Sequence, residues 1–157
     1  MPYWLPVQAR QGVAIYDVSD PSTPTVLKTI EFDGYLVSSR LIQGKLHLVQ
    51  QFMPELPPLE YWYDGSGEGY EATVRANREA MAAMSLDQLI PHFREVDGDG
   101  TPQADAPLVA PERFYCPVSK NGGGTITTVV TLDLEDAALP FTSAGIVADA
   151  HIVYASP

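Results

Sequence analysis

Between Gln11 and Phe52, runs rich in β-branched and aromatic residues alternate with strong chain breakers. This punctuation constrains the fold more than any other feature, because it leaves room for short strands and little else. Val13–Val18 predicts the first strand. It ends at Ser19-Asp20-Pro21-Ser22-Thr23-Pro24, where two prolines and the Ser and Asp side chains favour a turn. Thr25–Phe32 predicts a second strand, with Val26, Ile30 and Phe32 on one face and Lys28 as the exception. Asp33-Gly34 reads as a two-residue hairpin. Tyr35–Ile42 predicts the third strand, with Tyr35, Val37 and Leu41 sharing a face. Gln43-Gly44 is a further two-residue turn. Lys45–Phe52 predicts the fourth strand, with Leu46 and Leu48 opposite His47 and Val49. Four strands in about 40 residues make one antiparallel meander, the size of a β-propeller blade.

The regularity stops at Met53-Pro54-Glu55-Leu56-Pro57-Pro58, since proline removes ladder donors. An aromatic, glycine-rich loop follows, from Glu60 to Tyr70. Glu71–Met84 predicts a helix, with Val74, Met81 and Met84 at helical spacing. Ser85-Leu86-Asp87-Gln88 matches a capping box, and Pro91 stops the short turn behind it. The helical insertion thus covers about 71–90. Glu95–Pro111 reads as a polar loop. Thr125–Leu134, Phe141–Val147 and Ala150–Ala155 are further strand candidates. The expected organisation is a blade-like meander over 11–52, a loop and helical insertion over 53–112, and a partial second blade over 113–157.

Composition narrows the partners. Nine Lys and Arg stand against twenty Asp and Glu, a net charge of −11. Such a surface repels phosphates, which argues against nucleic acid and anionic membranes. The apolar share of 45% supports a core. No apolar run approaches the ~18–20 residues of a membrane helix. The first seven residues, Met-Pro-Tyr-Trp-Leu-Pro-Val, lack the basic start and long apolar stretch of a signal peptide. The lone Cys116 has no partner for an intramolecular disulfide.

Several segments share a pattern. Tyr16-Asp17-Val18-Ser19-Asp20-Pro21-x-x-Pro24 is followed in order by Gly34-Tyr35, Ser39-Arg40-Leu41-Ile42 and Leu46-x-Leu48-Val49. Leu86-x-x-Leu89-Ile90-Pro91, Cys116-Pro117, Thr128-Val129-Val130-x-Leu132-Asp133-Leu134 and Val153-Tyr154-Ala155-Ser156 come next. The ordered set, from Gly12 to Ser156, resembles the bacterial and archaeal "beta propeller domain" family of predicted secreted proteins. The resemblance implies a mainly β, multi-bladed propeller in an exported or cell-surface setting, with no assigned activity and no catalytic residues to carry over. A propeller closes with about 4–8 four-stranded blades. A chain of 157 residues therefore corresponds to a partial propeller, and its open sheet edges predict either self-association or a rearranged compact β fold with the helix covering one face.

Two clusters are candidate sites. Glu95, Asp97, Asp99 and Asp105 alternate with glycines on one segment, and such carboxylates can surround Ca²⁺. Gln103 stands where calcium loops of this general type carry an acid, and a solvated acidic turn is the plainer reading. Tyr61, Trp62, Tyr63 and Tyr70 can form a stacking platform for a sugar or peptide, or pack onto the sheets. His47, His92 and His151 show no metal-ligand spacing. No GxSxG elbow is present. Cys116 precedes a proline with Arg113 and Lys120 nearby, and reads as an unpaired thiol. Asn121-Gly122-Gly123-Gly124-Thr125 lacks the Lys-Ser/Thr of a phosphate loop.

Three readings stand. The first is a non-catalytic propeller-type binding or scaffold module of the cell envelope, without a cofactor and with a protein or glycan partner. The second is a calcium-dependent enzyme or adhesion module using Asp97 and Asp99. The third is a carbohydrate-binding module using the Tyr61–Tyr63 cluster.

Overall fold

The computed structural model describes residues 9–96, 101–118 and 124–149. The strands are β1 (Arg10–Asp17), β2 (Thr25–Asp33), β3 (Tyr35–Ile42), β4 (Lys45–Phe52), β5 (His92–Val96), β6 (Pro102–Pro107), β7 (Phe114–Tyr115), β8 (Ile126–Asp133) and β9 (Phe141–Ile146). Two helices, α1 (Gly67–Ala82) and α2 (Leu86–Leu89), lie between β4 and β5. The chain is mainly β, with antiparallel sheets of blade type and a helical insertion, as the patterning implies. The candidate strand at 150–155 lies outside the described residues.

Strand pairing within 11–52 differs from a single meander. One sheet has the order β1-β2-β5-β6 and the other β3-β4-β8-β9-β7. The four early strands are therefore shared two and two. All pairings are antiparallel except the short β7–β9 contact, which is parallel. The division falls at Asp33-Gly34, which is a crossover between sheets and not a hairpin. Gly34 has φ +110°, and a Cβ there would meet the Gln51 carbonyl oxygen at 2.5 Å. Its N–H bonds to the Ala9 carbonyl at 2.7 Å, which ties the crossover to the start of β1. Gln43-Gly44, by contrast, joins two paired strands, and both residues have positive φ. That is the geometry a two-residue hairpin of type I′ requires.

Further differences have local causes. A bulge between Leu36 and Ser38 takes Val37 out of register. Tyr35 and Leu41 then lie on opposite faces, because one extra residue reverses the alternation. Helix α1 starts four residues before Glu71, because Ser66 caps it by accepting from the Gly69 N–H. The capping box at Ser85 and Gln88 is present in both directions. The stretch read as a polar loop, Glu95–Pro111, contains β6 and the last two residues of β5, which pair with each other. Its prolines sit at both ends of β6, an edge strand, where a missing donor is tolerated.

The core lies between the two sheets. Ile30 and Phe32 of β2 face Leu48, Val130 and Leu132 of the second sheet, with Leu108 and Val109 filling the join. Phe141 meets Phe32 edge-on at 5.9 Å and Phe93 at 4.8 Å, linking both sheets through one ring. Burying a side chain of this size contributes about 1.5–3 kcal/mol. Lys28 is on the same face as Ile30 and reaches the Leu139 carbonyl at 3.4 Å. Gln50, fully buried, accepts from Gln11 across the interface.

Two predictions follow from the crossover and the first turn. Gly34→Ala should destabilise the chain by about 1–3 kcal/mol in a urea melt, since it meets both unfavourable φ and backbone. Gly12→Ala, with no atom within 4 Å of its Cβ, should stay within about 0.5 kcal/mol of wild type. Asp17 is held below the usual carboxylate range by the Ser19 N–H and then the Ser19 hydroxyl. Asp20 is lowered by the Ser22 hydroxyl, the Ser22 N–H and Thr23. A folded-state value below the unfolded one stabilises above the unfolded pKa of about 3.9 and is lost as pH falls through the folded value. The melting temperature should therefore fall as pH drops below about 4, and Asp20→Asn should flatten part of that fall.

Candidate functional site

The insertion departs from the end of β4 and returns at β5. Its prolines prevent pairing with either sheet, so the segment leaves the core. Three contacts then order it. The Glu60 N–H donates to Asn77 Oδ1 at 2.9 Å, and Asn77 Nδ2 donates back to the Glu60 carbonyl at 2.7 Å. Asp64 accepts from the Ser66 N–H at 2.9 Å and from its hydroxyl, while Ser66 caps α1. The Tyr63 and Tyr70 rings meet edge-to-face at 5.5 Å. Tyr61 and Trp62 therefore lie between two pinned points, Glu60 and Tyr63. Both face solvent, with Tyr61 79% and Trp62 89% exposed. Tyr63 and Tyr70 are about half exposed, at 51% and 54%. All four aromatic candidates from the sequence are thus exposed, and two of them, Tyr63 and Tyr70, are in contact.

Asp64 sits at the centre of this loop. Its pKa is lowered, first by the Ser66 hydroxyl and then by the Ser66 N–H. Donors to a carboxylate favour its charged form, so the loop favours this negative charge.

The acidic cluster is arranged differently. Asp97 and Asp99 lie outside the described residues. Glu95 stands opposite Ala104, and Arg94 opposite Asp105. Neighbouring residues of a strand point to opposite faces. Glu95 and Asp105 therefore face opposite sides of the sheet and do not converge on one ion. Each already has a cation. Glu95 is 2.8 Å from Lys28, and Asp105 is 3.1 Å from Arg94. Among the described residues no three His, Cys, Asp or Glu side chains cluster for a metal.

The sequence did not reveal what surrounds Asp105. His92 Nδ1 is 2.7 Å from Asp105 Oδ1, and its Nε2 is 3.1 Å from Asp87 of α2. The second contact lacks hydrogen-bond geometry. The His92 N–H donates to Asp33 Oδ2 at 3.2 Å. Asp33 also meets Arg10 at 3.2 Å and Arg94 at 3.7 Å. This chain of charges crosses all four strands on the outer face of the first sheet. Beside it, Arg10, Asp33, Met53, Glu55 and Gln88 line a cleft of about 290 Å³. Recognising this cluster from sequence required the β5–β6 hairpin, whose polar alternation His92-x-Arg94 was the available signal.

The remaining candidates are dispersed. His47 Nδ1 is 3.0 Å from Thr131 Oγ1 in the middle of the second sheet. His151, Lys120 and residues 121–123 lie outside the described residues. Cys116 is exposed at the rim of an apolar groove of about 350 Å³ that includes Leu89, Ile90, Phe114 and Ile126. No described helix is long and apolar enough to cross a membrane.

Two packed sheets of blade type match what a family profile finds over residues 3–157, described as "Beta propeller domain". The chain belongs to the Beta propeller domain family. No curated protein matches this chain, and no solved structure does. In this member of the Beta propeller domain family an ordered aromatic arm lies between β4 and β5.

Since Glu95 and Asp105 are directed apart, millimolar calcium should leave the melting temperature unchanged. A rise with calcium, abolished by Asp97→Asn with Asp99→Asn, would reverse this, because a ligand of the folded state raises its stability.

Proposed function

We propose that the chain is a non-catalytic propeller-type binding or scaffold module of the cell envelope, and that the 53–90 arm is its contact surface. One observation carries the reading: Trp62 and Tyr61 are held out to solvent by an arm that is itself fixed at Asn77, Ser66 and Tyr70. Large exposed rings are unfavourable for a free surface and are enriched where partners dock. Fixing them in advance lowers the entropy lost on binding. The envelope setting is supported by the resemblance to families of predicted secreted proteins.

A photo-reactive residue in place of Tyr61 tests this in the native cell. The expected result is an envelope-fraction protein with a discrete cross-linked product, lost in Trp62→Ala. A cytosolic protein without a cross-link overturns the proposal.

A further inference from the structure

Carboxylates along the strands and on the arm differ in their partners, while those of the turns, such as Asp17 and Asp20, bond to Ser and Thr. Around the sheets, Glu31, Asp33, Glu95, Asp105 and Asp133 all have a cation within 4 Å. On the arm, Glu60, Asp64, Glu68 and Glu71 are exposed, and none has a basic partner among the described residues. Between Lys45 and Arg75 the sequence contains no Lys or Arg at all. The four unpaired acids are interleaved with the four exposed aromatic residues, in the order Glu60, Tyr61, Trp62, Tyr63, Asp64, Glu68, Tyr70 and Glu71.

Rings beside unpaired carboxylates have a specific complement. The face of an indole or phenol ring attracts a cation, and arginine adds planar stacking. Uncompensated carboxylates attract the same group and repel anions. A neutral sugar would use the rings but leave four charges unanswered. We propose that the arm binds a cationic segment of a protein partner, with arginine and lysine side chains seated on Tyr61 and Trp62 among these carboxylates. This rests on the binding-module reading and names its partner class.

The size of the surface favours a peptide over a lone amine. Tyr70, Glu71 and Val74 open an elongated groove of about 550 Å³ that continues along α1 to Ala82. Sixteen helical residues extend over about 24 Å. Arg75 and Arg78 change the sign of charge along that groove. The basic residues of the partner are therefore expected at the Tyr70 end. The lowered pKa of Asp64 keeps its charge available.

Fluorescence anisotropy with a labelled peptide of alternating glycine and arginine tests the proposal on the whole chain. Saturable binding is expected, weakening as salt rises, and absent for the glycine–glutamate peptide. Trp62→Ala should weaken it about fivefold or more, as should Glu60→Gln with Glu68→Gln, with melting temperatures unchanged since these side chains are exposed. Absence of arginine-peptide binding overturns the proposal, and so does binding indifferent to Trp62→Ala. A glycan array run in parallel separates the two levels. Trp62-dependent glycan binding without peptide binding overturns the cationic partner and leaves the binding module standing. Failure of peptide, glycan and cellular cross-link together overturns both.

Discussion

The rest of the molecule depends on the contact between the inner faces of two sheets. Phe32 and Ile30 on one side, and Leu48, Val130 and Leu132 on the other, exclude water together. Neither sheet has enough apolar surface to be stable alone, so each is the other's core. The crossover at Gly34 follows from this contact. A hairpin there would keep β2 and β3 in one sheet, whereas the packing needs one strand in each. Only a residue without Cβ passes so close to the Gln51 carbonyl at positive φ.

Because the sheets use their inner faces for the core, the outer face of the first sheet is free to carry charge. There Arg10, Arg94 and His92 are matched by Asp33, Asp87 and Asp105. Exposed pairs of this kind stabilise weakly, by about 0–1 kcal/mol each. Their effect is more on alignment: one network spans four strands and joins α2 to the sheet. The arm shows the opposite balance. It buries no residue of α1, holds itself through local capping and the Asn77–Glu60 exchange, and its Glu60, Asp64, Glu68 and Glu71 have no basic partner among the described residues. Exposed rings set among exposed carboxylates present a surface suited to a partner of opposite sign.

Local signals were legible wherever the chemistry is local. The bounds of β3 and β4, the Gln43-Gly44 hairpin and the Ser85 capping box all follow from residues within a few positions of one another. The aromatic arm was legible too, because proline excludes Met53–Pro58 from a sheet. The β5–β6 hairpin was not, since His92, Arg94 and Asp105 look like loop residues until they pair across strands and satisfy one another's charge. In the acidic segment, too, pairing decides what spacing does not. Spacing brings Glu95 and Asp105 together on paper, but register sends them to opposite faces.

The sequence by itself determined that this chain forms short antiparallel strands, an inserted capped helix and an acidic surface. Those properties depend on backbone preference, turn chemistry and net charge, which act within short stretches or on the whole chain at once. The tertiary structure alone decided which strand joined which sheet, which carboxylates met a cation and which aromatic rings stayed in water. The physical reason is that these outcomes depend on pairs far apart in the chain. Phe32 meets Phe141 because burying two apolar faces against each other removes more surface from water than either sheet could alone, and Lys28 with Glu95 and Asp33 with Arg94 meet because β2 pairs with the distant β5.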